Sequence, residues 1–259
     1  MFEVVKICYK SISNIDNDKY ESILQNIYSS LLEEGDCTID IGAHMGRHTI
    51  PMANAVGNQG TVYAFEPLPH LYEKLQRTLE TEKLDGAVQL SQYALSREEG
   101  QAEFLHVDDA PGLSGLKERT SHEGHQIERI QVDVKLLDNM IPEGERIKFI
   151  KIDAEGADFY ILQGATRILS SDRPLVVFES GRINAFPAKS YGYSEEEFND
   201  FFKSQSYVLY DIAGFKYDSR FWNLPTLNDF VAIPEEKEEE YRELLLAAVL
   251  TEFGKYAIL

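Results

Sequence analysis

Short apolar runs alternate along this chain with longer stretches in which apolar residues recur every three or four positions. The runs read as buried strands and the stretches as amphipathic helices, so the pattern is that of a βα-alternating chain built on a mostly parallel sheet. The strand-like runs are IDIG from Ile39, TVYAFEP at 61–67, QLSQYAL within 88–95, KFIKID at 148–153, PLVVFES at 174–180, SYVLYDI at 206–212 and DFVAIP at 229–234. Helices are expected over 16–32 (Tyr20, Ile23, Leu24, Ile27, Leu31), 47–55, 69–83 (Leu71, Leu75, Leu79), 157–169 (Phe159, Leu162, Ala165, Leu169), 195–203 and 235–255. The last two strands are close enough to form an edge hairpin with a wide loop around Trp222. Between 98 and 133 the period changes. QAEFLHV and RIQVDV alternate like a hairpin or sheet extension, joined by a long polar loop, 108–125.

Candidate chemistry gathers where strands end. IDIGAHMG ends a strand at Asp40 and enters a turn in which Gly42 and Gly46 allow the backbone to approach a ligand, and the next helix presents free N–H groups. Glu66 follows Gly46 by twenty positions, the distance at which a strand–helix–strand unit returns an acidic side chain to the hydroxyls of a ribose. Tyr93 and Ala94 end the third strand beside the adenine side of such a crevice, with Tyr93 equally readable as a core residue. KFIKIDAEGAD places Asp153, Glu155 and Asp158 together after another strand. Crowded carboxylates repel unless a cation or hydrogen bonds offset them, which points to a positively charged ligand or a proton-transfer role, while Asp153 alone could equally cap the following helix. The segment 181–194, rich in Gly, Pro and aromatics, is a candidate acceptor lid with Phe186, Tyr191 and Tyr193 as walls, or simply a packed loop. His122 and His125 with Asp108 and Asp109 match no metal-ligand spacing and read as a solvated loop, so no metal is expected.

Composition narrows the partners. A net charge of −19 over 259 residues disfavours nonspecific binding to nucleic acid or an anionic membrane. Two cysteines, Cys8 and Cys37, fit no disulfide or metal spacing, and neither a leader-type h-region nor a run of about 18 apolar residues occurs, so a cytoplasmic protein is expected. A nicotinamide dehydrogenase would show G-x-G-x-x-G after its first strand. This chain has G-A-H-M-G instead, which weakens a hydride-transfer reading without removing it as an alternative, beside that of a non-catalytic module that kept the fold.

The ordered set IDIGAHMG with RHT after it, VYAFEP, YALS, IKIDAEGAD and RPLVVFES resembles the FkbM-type S-adenosylmethionine-dependent methyltransferases, from about Gly35 to Ser180. The resemblance implies a class I methyltransferase (Rossmann-like) fold, a seven-stranded mostly parallel sheet with one antiparallel strand and helices on both faces. It divides the chain into a helical extension (1–34), a cofactor-binding methyltransferase domain (35–234) and a C-terminal helix (235–259). It implies O-methylation of a small-molecule hydroxyl acceptor, whether secondary metabolite, polyketide, lipid or sugar. Asp40, Gly42, Ala43, His44, Gly46 and Thr49 would then hold the methionine end of S-adenosylmethionine. Glu66 and Pro67 would take the ribose, and Tyr93 and Ala94 the adenine. Asp153 and Glu155 would flank the methyl group, with Glu155 the first choice of base, Asp153 the second and His48 a distant third. His44 stands where asparagine is common in the family.

Overall fold

The computed structural model describes residues 17–107, 109, 114–117, 124–179, 191–218 and 229–254. Phe186, Trp222, Cys8, His122 and Asp108, singled out above, lie outside the described residues. Seven strands form the main sheet: β1 (Cys37–Ile41), β2 (Thr61–Phe65), β3 (Val88–Ser91), β7 (Ile147–Ile152), β8 (Leu175–Glu179), β9 (Tyr207–Asp211) and β10 (Asp229–Pro234). Their order is β3-β2-β1-β7-β8-β10-β9, and β10 alone runs antiparallel to its neighbours. This is the class I methyltransferase arrangement that the family resemblance implies.

Side chains alternate across the sheet and build two cores. Ile39 and Ile41 of β1, Ile150 and Ile152 of β7 and Phe178 of β8 face one side. There they meet α5 (Asp158–Gln163), α6 (Thr166–Ser171) and α7 (Glu195–Ser204) through Phe159, Leu162, Ile168 and Phe198. Phe149 and Val177 face the other side, packed under α1 (Asn17–Leu31), α2 (Thr49–Val56), α3 (Pro69–Glu82) and α8 (Glu238–Gly254). Asp40 and Lys151 take the intervening positions on this second face, which buries both.

Three elements depart from the expected boundaries. The third run is broken at Gln92–Tyr93: β3 stays in the main sheet, whereas β4 (Ala94–Leu95) pairs with β6 (Ile127–Lys135), which pairs in turn with β5 (Gly100–Val107) in a separate three-stranded sheet. The helix expected over 157–169 is two short helices. The carboxylate of Asp138, on the short α4 (Leu137–Met140), accepts the N–H groups of Arg167 (2.7 Å) and Ile168 (3.0 Å) and so caps α6 from a distance. The helix after the glycine turn begins at Thr49 rather than at residue 47, because the Thr49 hydroxyl donates to Asp40 Oδ2 (2.6 Å) and anchors the first turn to β1. Among the described residues no helix is long and apolar enough to cross a membrane.

Candidate functional site

The turn after β1 is shaped by two left-handed glycines, Gly42 (φ +75°) and Gly46 (φ +85°), with His44 also at positive φ (+47°). A Cβ on Gly42 would lie 1.9 Å from the Asp153 carbonyl oxygen, so glycine here lets the end of β1 press against the end of β7. Gly42→Ala should therefore destabilise the protein by about 2 kcal/mol or more, from left-handed strain plus a backbone clash, as read by chemical denaturation.

Glu66 follows β2 with 4% of its surface exposed. Oε2 accepts the N–H of His44 and Oε1 that of Leu68, each at 2.9 Å. Each carboxylate oxygen keeps acceptor capacity for one more donor. Burial pushes the Glu66 carboxyl up to about 7, against the opposing pull of these two backbone bonds.

A cleft of about 240 Å³ opens beside this turn. Of the residues predicted from sequence, it is lined by Gly42, His44, Glu66, Pro67, Tyr93, Ala94, Asp153 and Glu155. Asp40, Ala43, Gly46 and Thr49 do not line it. All four are buried, Ala43 and Gly46 within the turn itself, and Asp40 is held by the Thr49 hydroxyl and by Lys151 Nζ, 3.4 Å from Oδ1. Glu155 occupies a left-handed conformation (φ +53°) that is costly for a residue other than glycine. His48 is held away from the cleft, buried between Glu21 (2.5 Å) and the Tyr28 hydroxyl (3.2 Å) of α1. Tyr191 and Tyr193 are also buried and pack against Tyr160 and Phe159, so the described end of the candidate lid serves as core. His125 pairs with Asp109 at 2.9 Å near the exposed surface.

Two contributions are absent from the sequence reading. The small sheet supplies a wall of the cleft through Phe104 and His106 of β5, continued by Ser114 and Leu116 of the segment bridged to it. Ser114 Oγ accepts the Val107 N–H (3.0 Å) and lies 3.5 Å from His106 Nδ1, while Gly115 bridges to Leu105 and sits against Glu155. The second is Lys151. A lysine inside the apolar run FIKI was the available signal, since a lysine buried in a central strand needs partners.

Carboxyls beyond the cleft share the same environment. Asp158, 1% exposed, is pushed up to about 7 by burial and by the charge of Asp153, although it accepts N–H groups from Ala154 and Gly156. Asp229 is likewise pushed up to about 7 by burial, then by Asp153. Its register partner Glu179 is raised by burial, then by Asp158. A carboxyl whose folded value lies above its unfolded one binds more protons in the native state, so its stabilisation is full below about pH 4 and is lost as pH rises through about 7. Scanning calorimetry should show stability falling by about 1 kcal/mol or more between about pH 5 and 8, and Asp229→Asn should flatten that slope.

The chain matches the methyltransferase FkbM domain family over residues 40–209. It is similar to Methyltransferase 1 of Beauveria bassiana, 31% identical over 143 residues that cover 49% of this chain and 57% of that protein. It is also similar to the hexuronic acid methyltransferase AglP of Haloferax volcanii, 28% identical with 59% and 61% covered, and to Methyltransferase sdnD of Sordaria araneosa, 25% identical with 63% and 74% covered. The chain thus spans less than two thirds of the length of the first two relatives.

Proposed function

The chain belongs to the FkbM methyltransferase family, and from that premise we propose that it is an S-adenosylmethionine-dependent O-methyltransferase acting on a hydroxyl of a small-molecule, lipid or sugar acceptor. One observation carries the reading: a single cleft is lined together by the buried Glu66, by Tyr93 and Ala94, and by the Asp153–Glu155 turn. These residues fit the cofactor. Glu66 has acceptor capacity for ribose hydroxyls, the wall suits adenine, and the carboxylate of Asp153 suits a cationic amino-acid end.

Bound S-adenosylmethionine supplies a methyl group on an already activated sulfonium carbon. The chain's own residues therefore have to position the partners and exclude water. Glu66 and the turn it holds orient the cofactor, Asp153 fixes its cationic end, and Glu155 takes the proton from the acceptor hydroxyl. His106 of β5 and Ser114 of the segment bridged to it close the side of the cleft by Glu155. A sugar acceptor is one class within this reading, because one relative is named for hexuronic acid.

The test is incubation with methyl-labelled S-adenosylmethionine and a panel of sugar, lipid and polyketide alcohols, with products read by mass spectrometry and cofactor binding by calorimetry against NAD. Methyl transfer to an oxygen is the expected result. Binding of NAD in place of S-adenosylmethionine would establish the oxidoreductase alternative.

A further inference from the structure

Lys151 carries its ammonium on a side chain 5% exposed, in the middle of the main sheet. Nζ donates to the carbonyl oxygens of Gly42 (3.2 Å) and Ile41 (3.4 Å), and it lies 3.4 Å from Asp40 Oδ1 and 3.6 Å from Asp153 Oδ2. An ammonium taken out of water costs several kcal/mol unless it is paired, and here one cation serves two carboxylates and two carbonyls. It also joins the two strand ends that meet where Gly42 touches the Asp153 carbonyl.

We infer that Lys151 is a positioning residue for methyl transfer: its ammonium locks the turn after β1 onto the Asp153 turn and sits between Asp40 and Asp153 beside the cationic end of the cofactor. The inference rests on the S-adenosylmethionine reading above. The trio of Lys151, Asp40 and Asp153 carries a net charge of −1, which attracts a ligand's cationic end while the lysine cancels the repulsion between the two carboxylates. Asp153 is the cleft-lining member, whereas Lys151 and Asp40 act from beneath.

The charged groups facing Lys151 come from every side: Asp40 on β1, Asp153 after β7, Glu21 on α1, His44 in the turn, Glu66 after β2 and Asp229 on β10. Burial pulls the ammonium down, but Asp40, then Asp153 and Glu21, more than offset it, so Lys151 stays charged above its ordinary range. The same ammonium lowers Glu66, while Asp40 raises it. Removing Lys151 therefore moves Glu66 toward protonation.

Calorimetric titration with S-adenosylmethionine from pH 5.5 to 9 distinguishes this role from plain core packing. In wild-type protein, affinity rises with pH through an acidic limb set by Glu66, which burial pushes up to about 7. In Lys151→Met the limb should move up by about one pH unit or more, with affinity at pH 7 reduced about tenfold or more. The double variant Asp40→Asn/Lys151→Met, which also removes the carboxylate that raises Glu66, should bring the limb back toward its wild-type position. A merely structural lysine would leave the limb in place and make the losses additive, and that result overturns the inference. Failure of the wild-type protein to bind S-adenosylmethionine would overturn the cofactor reading instead. Should the substituted proteins not fold, wild-type protein labelled with ¹⁵N-lysine gives the answer: the Lys151 ammonium signal shifts on addition of the cofactor, and an unmoved signal overturns the inference.

Discussion

Replacing Glu66 by alanine should abolish S-adenosylmethionine binding while the protein keeps its fold. The carboxylate is 4% exposed and already accepts two backbone N–H groups at 2.9 Å. Its remaining lone pairs are what ribose hydroxyls would use, and two hydrogen bonds to a charged acceptor are worth about 1.5–3 kcal/mol each, a loss of about 10²-fold or more in affinity. The fold survives because the deletion also removes a desolvated carboxyl that burial has pushed up to about 7, which offsets the loss of two backbone partners. Glu66→Gln should bind almost as poorly. One end of a glutamine amide is a donor, and it would face the N–H of His44 or of Leu68. Calorimetry and circular dichroism on both variants read the outcome, and unchanged affinity in the alanine variant would remove the ribose assignment.

Glu155→Gln should leave cofactor affinity intact and lower turnover by about 10² to 10⁴, the usual contribution of a positioned general base. Glutamine keeps the shape and the left-handed backbone of the site while giving up the ability to take a proton. The effect should appear in kcat with the dissociation constant of S-adenosylmethionine unmoved. Wild-type turnover in this variant would show that the acceptor loses its proton elsewhere, and Asp153, on the same wall of the cleft, is the next candidate.

Much of the fold was legible because the relevant signals are local. The apolar runs of β1, β2, β7 and β8 carry their own period, and the left-handed glycines punctuate the turn that follows β1. What escaped is set by residues far apart in sequence. The split of the helix at 157–169 depends on Asp138 reaching Arg167 and Ile168, about thirty residues away, and a period of 3.6 runs straight through such a break. The departure of Ala94–Leu95 from the main sheet depends on Val134 and Lys135, which offer it a parallel partner. For the candidate site, the strand-end carboxylates Glu66, Asp153 and Glu155 were visible as a pattern, and the cleft brings them together. The burial of Asp40 and Thr49 beneath the turn was not, since a carboxylate at a strand end carries no mark of which way it points until the helix above it is placed. The wall built from Phe104, His106, Ser114 and Leu116 arises from pairing between β5 and a returning segment joined by a loop, which no local period encodes.

The two sheets are separate hydrogen-bonded ladders, yet each supplies one side of the same cleft. Occupancy of the cleft and the seating of the small sheet are thus thermodynamically linked: a ligand that touches both adds its binding free energy to their association, and anything that loosens β5 and β6 subtracts from affinity by the same amount. Substitutions along that ladder, without touching a ligand, should thus change how tightly the cleft holds one.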